Sequence, residues 1–247
     1  MAAGREPKRR VGTLRTQAAV ADRGLIAALR RELRARANPA KAPAMQAYMK
    51  SSMPYYGVNS PEQNVIWRRV FDARVLPDEK VWQATALTLW RSARFREERY
   101  GAIALTGHRT YKTFHTLDTL PVYEELIVTG AWWDYVDVIA GKRIGSLLAR
   151  YPAEMRLLLR GWSRSPEVWK RRTAILAQLG FKEATDLRLL YACIEPNLAD
   201  REFFIRKAIG WALRQYAWTD PKEVRRYVRA HRNRLSGLSA REALRNL

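Results

Sequence analysis

Apolar residues along this chain recur at intervals of three and four. Leu25, Ile26, Leu29 and Leu33 make one stripe, with Arg30, Arg31, Arg34 and Arg36 largely outside it. Leu187, Leu190, Tyr191 and Ile194 make a second, and Val224, Tyr227 and Val228 a third. This is the period of a helix with one buried face. No convincing alternation of period two occurs, and no Asn-Gly or Asp-Gly pair separates β-type runs.

Helix-start signals punctuate the stripes. Ser60-Pro61-Glu62-Gln63 reads as an N-cap, a proline at the first helical position and a capping-box glutamine. Ser165-Pro166-Glu167 and Asp220-Pro221-Lys222-Glu223 follow the same plan, and Ser239-Ala240-Arg241-Glu242 reads as another capping box. Asp22, Asp78 and Asp200 are further candidate caps, each offering an oxygen to unpaired backbone N–H groups. The pattern predicts roughly a dozen short helices joined by connections of about 2–8 residues. Short helices with one apolar face must stack on their neighbours, so an α-solenoid or an irregular bundle is expected. Helix pairs would span roughly 35–45 residues, the period of HEAT-type repeats. Residues 21–247 are expected to form this single domain. Residues 1–20, basic and polar without an apolar signal core, are read as a disordered arm.

Charge changes the picture. The 247-residue chain carries 45 Lys and Arg against 24 Asp and Glu, a formal net charge of +21. Such a field draws in polyanions, with nucleic acid first and an anionic membrane surface second. An Arg-rich solvated surface without a partner is the bland alternative. Hydrophobic residues at 47% suit a globular protein with a sizeable core. No apolar run approaches the ~18 residues of a spanning helix. The stretch Leu147 to Leu159 is broken by Arg150, Glu154 and Arg156. Cys193 is the only cysteine and His108, His115 and His231 the only histidines, so no Cys/His metal cluster can be assembled. A cytoplasmic monomer without metal or cofactor is expected.

Three segments place aromatic and charged residues on one helical face. Trp133 and Asp137 lie four apart, which sets an indole beside a carboxylate. Trp169 and Arg172 lie three apart, within Trp169-Lys170-Arg171-Arg172. Lys207, Trp211 and Arg214 form a basic–aromatic–basic stripe, and Gly210 within that helix costs about 1 kcal/mol unless a close approach repays it. Each item has an ordinary structural reading: a core tryptophan, an ion-paired aspartate, a solvated Arg-Arg pair. Cations flanking an indole suit phosphate and a sugar or base face better than they suit a core.

Together these segments resemble the HEAT-repeat alkylpurine DNA glycosylases, the AlkD-like DNA alkylation repair family. The matching pieces begin with Met45-Gln46-Ala47-Tyr48-Met49-Lys50, Gly57 and Ser60-Pro61-Glu62. Next come Glu124-Glu125-Leu126-Ile127-Val128, Trp132-Trp133-Asp134 and Val136-Asp137. Trp169, Arg172-Thr173-Ala174-Ile175-Leu176 and Gln178-Leu179 come after them. The last are Glu202-Phe203-Phe204-Ile205, Lys207-Ala208-Ile209-Gly210-Trp211, Leu213-Arg214, Leu238-Ser239 and Arg241-Glu242-Ala243. They run in family order from Leu25 to the C-terminus.

The resemblance implies a right-handed solenoid whose concave basic face grips duplex DNA. It implies hydrolysis of the N-glycosidic bond of a cationic N3- or N7-alkylated purine, in base excision repair. By motif position the catalytic carboxylate falls on Asp137, the active-site indoles on Trp133 and Trp211, and the associated arginine on Arg172. Tyr48 matches a tyrosine near the DNA. Arg171, Lys207 and Arg214 are counted with Arg172 as DNA-facing cations. Where the family often carries arginines after Ser60-Pro61-Glu62, this chain has Gln63 and Asn64, which weakens the expectation of a phosphate contact there.

The chemistry fits those residue types. A cationic purine is already a good leaving group, so the barrier lies in charge growing on the deoxyribose, which a fixed carboxylate and indole faces stabilise. Two other readings stand beside this one: an architectural DNA-binding protein without catalysis, and a self-resistance glycosylase for the bulky adducts of a DNA-alkylating natural product. A protein-binding scaffold is disfavoured by the charge.

Overall fold

Side chains that close backbone N–H groups set where half of the α-helices begin. The computed structural model describes residues 20–247; the expected arm lies outside the described residues save for Val20. It contains α1 (Arg23–Ala35), α2 (Ala42–Tyr48), α3 (Ser60–Ala73), α4 (Glu79–Arg91) and α5 (Arg96–Thr106). Further along are α6 (Leu120–Gly130), α7 (Trp133–Val138), α8 (Gly145–Arg150), α9 (Pro152–Trp162) and α10 (Val168–Leu176). The chain ends with α11 (Leu187–Ile194), α12 (Phe203–Ala217), α13 (Pro221–Ala230) and α14 (Gly237–Ala243). Short 3-10 turns connect some of them, and no strand occurs among the described residues.

Asp22, Asp78 and Asp220 cap α1, α4 and α13 as the sequence predicts. Elsewhere the start shifts. Asn59, not Ser60, caps α3, and its capping-box partner is Glu62, so Pro61 occupies the second helical position. Glu167 caps α10 in place of Ser165, whose hydroxyl accepts from the Glu167 amide instead. Asp200 accepts from the Glu202 amide just ahead of α12. Ser236 caps α14, which leaves Ser239 inside the helix and buried, donating to the Arg206 carbonyl. In every shifted case a competing oxygen lies within three residues, and tertiary packing selects between them.

The helices form two rows. In one, α3 packs on α5, α7 on α10, α10 on α12 and α12 on α14. In the other, α1 packs on α4, α4 on α6 and α9 on α11. Contacts between the rows, such as α4 with α5, α6 with α7 and α12 with α13, enclose a continuous apolar core from Leu25 to Ala243. Such a ladder is consistent with helical-repeat packing. Two of the three predicted stripes face it: Leu25, Ile26, Leu29, Leu33, Val224, Tyr227 and Val228 are buried. In α11 the buried set is Leu189, Leu190, Cys193 and Ile194, so the apolar face is turned from the predicted one and Leu187 and Tyr191 sit at its edge.

Two features fix the segments that matter for function. The Glu97 carboxylate accepts from the amides of Tyr56, Gly57 and Val58 at 3.0, 2.9 and 3.2 Å, pinning the turn between α2 and α3. Gly57 there has φ +83° and lies against the Asn38 carbonyl, where a Cβ would sit 2.1 Å from that oxygen. The second is a π-turn, Ile139–Ile144, through which α7 runs on into α8. Its added residue rotates α8 by roughly 100° relative to an unbroken helix.

Candidate active site

The site is built on the row α7, α10 and α12. Trp132, at the N-cap of α7, packs edge-on against Phe204 at 5.4 Å, and Phe204 lies 5.0 Å from Trp169. This aromatic trio ties the start of α7 to α10 and α12. It takes Trp132 and Trp169 into the packing and leaves the neighbouring Trp133 at the surface of the cleft. Here the ordinary structural reading of a tryptophan holds for Trp132 and Trp169.

Trp133, Asp137, Arg172, Lys207, Trp211, Arg214 and Glu242, with Phe203 and Phe204, line an open cleft of about 300 Å³. Six of the residues singled out by sequence therefore meet in space, although they come from three separate motifs. Asp137 lies one turn beyond Trp133 and is almost covered, with 12% of its side chain exposed. Arg172 grips it at two points, Nε on Oδ1 at 2.7 Å and Nη2 on Oδ2 at 2.8 Å. The remaining guanidinium nitrogen, Nη1, donates to the Phe204 carbonyl at 2.5 Å, so α10 holds α7 and α12 through one side chain.

Burial pushes the Asp137 carboxyl above its ordinary value, while the Arg172 bridge pulls it back and the nearby Asp134 adds a smaller upward push. A carboxylate bridged on one edge keeps lone pairs on the other, and little solvent screens it. It is suited to stabilising a cation formed against it.

Lys207 and Arg214 flank Trp211, but both reach Glu242, with Nζ–Oε1 at 2.8 Å and Nη1–Oε2 at 2.6 Å. The sequence reading gave Glu242 no role at the site, only a place in a presumed capping box and in the last matching segment. What brings it here is Gly210: a Cβ at that position would stand 2.4 Å from the Glu242 Cβ and 2.9 Å from the Ser239 carbonyl. The glycine thus permits α14 to cross α12 in near contact, which is the close approach that repays its helical cost. Its presence was the one sequence signal for this contact.

Arg171 and Tyr48 lie outside the cleft. The Arg171 guanidinium holds the Ser165 and Pro166 carbonyls and the Asp200 carboxylate, at 2.8, 3.1 and 3.0 Å. Tyr48, 77% exposed, stands at a second and larger cavity of about 540 Å³. That cavity takes Asp134 and Val138 from the other flank of α7, with Met45, Tyr55, Gln63, Asn64 and Tyr100 among its walls. Asp134 carries no assigned role in the sequence reading, yet it anchors this flank. It accepts from Arg96 Nη2 at 2.7 Å and from the Tyr100 hydroxyl at 2.5 Å.

Stacked helices thus converge an indole pair on a nearly buried aspartate–arginine bridge, inside an all-helical chain of net charge +21. The model of the family described as DNA alkylation repair enzyme matches residues 29–247. Among solved structures, a predicted DNA alkylation repair enzyme from Enterococcus faecalis is similar, with TM-score 0.77 and 31% identity, covering 85% of this chain and 96% of that one. No curated protein matches the chain. The chain belongs to the DNA alkylation repair enzyme family.

Proposed function

We propose that this protein is a monofunctional DNA glycosylase that hydrolyses the N-glycosidic bond of cationic N3- or N7-alkylated purines in duplex DNA. The observation that carries the reading is the Asp137 carboxylate, held by Arg172 at the base of a cleft walled by Trp133 and Trp211.

In this reading the lesion deoxyribose enters the cleft with C1′ toward Asp137. As the C1′–N bond breaks, its electron pair leaves with the purine, whose positive charge is thereby cancelled, and the charge passes to the sugar. Asp137 stabilises that developing cation, an effect preorganised by Arg172 and strengthened by exclusion of water. The indole faces of Trp133 and Trp211 attract the same cation. Water then adds to C1′ and gives up a proton, and the free oxygen edge of Asp137 can orient it. No metal or cofactor is invoked. Lys207 and Arg214 border the sugar site and, tempered by Glu242, face the flanking phosphates.

The test is a panel of duplexes, each bearing one N3- or N7-alkylpurine, from methyl to bulky adducts, scored for released base under excess enzyme. Release of free base and an abasic site is the expected result. Tight binding with no release from any cationic lesion would overturn the glycosylase reading.

A further inference from the structure

Helix α7 is too short to hold its own place. It has six residues, and its N-cap, Trp132, offers no side-chain oxygen to the amides of the first turn. Lateral contacts therefore decide where its side chains stand. Arg172 supplies one from α10, through Asp137. A second bridge of the same chemistry holds the other flank, and no step of the proposed reaction uses it.

That bridge joins Asp134 to Arg96 of α5. Arg96 Nη2 donates to Oδ1 at 2.7 Å, and the Tyr100 hydroxyl donates to Oδ2 at 2.5 Å. Oδ1 also accepts from the Tyr135 amide at 3.0 Å, one of the amides that Trp132 leaves without a cap. Arg96 reaches on to Ser51 Oγ at 3.2 Å and lies 4.3 Å over the Tyr135 ring. Tyr100 shares a hydrogen bond of 2.9 Å with the Tyr55 hydroxyl. The two charged side chains are covered, Arg96 to 7% exposure and Asp134 to 10%. The network thus ties α7 to α5 and to the segment between α2 and α3, which Glu97 already pins.

Asp134 and Asp137 share the open side of α7. At about 100° per residue they lie roughly 60° apart around the helix and about 4.5 Å apart along it. Tyr135 and Val136, between them in sequence, are buried. A displacement of Asp134 therefore carries Asp137 with it. Charge couples them as well. Asp137 faces Arg172 from α10, Asp134 from its own helix, and Lys207, Arg214 and Glu242 across the cleft from α12 and α14. Asp134 is the like charge that acts on it from within the same helix.

We propose that Asp134 is a positioning residue for the Asp137 carboxylate: its bridge to Arg96 and Tyr100 fixes α7 on the flank away from Arg172 and sets the local field in which Asp137 works. This inference rests on the reading of the cleft as a glycosylase site, and it assigns part of the preorganisation of that site to α5.

The experiment follows the Asp137 carboxyl by nuclear magnetic resonance in protein isotopically labelled at the aspartate carboxyl carbons. Its signal is assigned by its absence from Asp137→Asn. Asp134→Asn removes the like charge and leaves Arg96 charged, so the Asp137 titration midpoint is expected to fall. Single-turnover base release from an N7-methylguanine duplex, measured well above that midpoint, is expected to slow by up to about 10²-fold, the cost of a displacement near 1 Å. Arg96→Lys keeps the charge but loses the fork that holds Ser51 and Tyr100, so release is expected to slow with the midpoint kept. If Asp134→Asn loses helical circular dichroism, the pair Asp134→Asn and Arg96→Gln, which buries no unpaired charge, takes its place, again with a lowered midpoint. A midpoint that stays or rises in the folded variant overturns the inference. So does release at the natural rate from Asp134→Asn or from Arg96→Lys. The titration needs no turnover, so the two claims separate. A natural chain that releases no base, with the midpoint lowered in Asp134→Asn, defeats only the glycosylase reading. Release by the natural chain with the midpoint unmoved in Asp134→Asn defeats only this inference.

Discussion

Arg172 and Asp137 face each other edge to edge, two nitrogens on two oxygens, across the gap between α10 and α7. The same guanidinium also holds the Phe204 carbonyl of α12, so the carboxylate cannot shift without disturbing three helices. That rigidity separates its electrostatic role from mere packing. Asp137→Asn keeps the shape and removes the charge. Single-turnover base release is expected to slow by about 10²–10³-fold, the range seen on losing one preorganised electrostatic partner. Affinity for undamaged duplex should hold or rise slightly, because an anion has left a phosphate-facing cleft. Release at the natural rate would make the carboxylate structural.

Acidity provides an independent reading of the same pair. Burial raises the Asp137 carboxyl above its ordinary value of 3.8, and Arg172 opposes that rise. In the proposed mechanism the ionised form acts, so release should fall on acidification, with its midpoint above the ordinary carboxylate range. Arg172→Gln leaves burial less opposed and should move that midpoint upward. Its deficit would shrink at alkaline pH, whereas the Asp137→Asn deficit would persist there and shrink only on acidification, as the natural chain loses its own carboxylate. Superimposable pH profiles for the natural chain and Arg172→Gln would show that the bridge does not tune the carboxyl.

Much of this site is legible in the sequence because its parts sit at helical spacings. Trp133 with Asp137, and Lys207 with Trp211 and Arg214, declare their shared faces at four and seven residues. The helical class is read equally from apolar period and capping oxygens. What the sequence leaves open is choice among equivalents. Ser60 and Asn59 both offer an oxygen, and the adjacent Trp132 and Trp133 are chemically alike. Packing against Phe204 and Trp169 decides which tryptophan joins the aromatic cluster and which lines the cleft, both being half-buried. The partners of Lys207 and Arg214 were hidden because Glu242 lies 35 and 28 residues away, with only Gly210 hinting at a crossing.

Gly210→Ala tests that crossing. Alanine favours the helix by about 1 kcal/mol, but its methyl would collide with the Glu242 Cβ and the Ser239 backbone, and such overpacking costs typically about 1–3 kcal/mol. The neighbours are a Cβ and a carbonyl, neither the free end of a flexible chain, so destabilisation should prevail. Urea denaturation is expected to show a lower midpoint, and a raised midpoint would mean α14 can retreat from α12 without loss.

His115 predicts a separate acid sensitivity. Burial, with the charges of Arg143 and Arg150, lowers its pKa from 6.5 to about 4, and its Nδ1 lies 2.8 Å from the Tyr123 hydroxyl. Below 6.5 the unfolded chain takes up the proton first, so stability is full above that value and declines as pH falls toward 4. The half-buried His108 is lowered first by burial and adds to the trend. The thermal midpoint should drop by several degrees across this window, and His115→Asn should flatten the drop. A midpoint independent of pH there would mean His115 is protonated without cost.

Glu242 divides one carboxylate between Lys207 and Arg214, one oxygen to each, and that division sets how much positive charge the cleft shows to DNA. Glu242→Gln preserves the Cβ that lies against Gly210, so the crossing of α14 over α12 should survive. The two ion pairs are partly exposed, and pairs of this kind contribute about 0–1 kcal/mol each, so the fold should lose little. Binding should change more. With both cations released, undamaged duplex is expected to bind several-fold more tightly in low salt. The log K against log salt slope should steepen by up to about 2, at about 0.9 for each new phosphate contact. Lys207→Gln added to Glu242→Gln should then remove about half of that increment. If Glu242→Gln leaves both affinity and slope unchanged while the protein stays folded, Lys207 and Arg214 do not face phosphate, and their place beside Trp211 serves only to hold the indole.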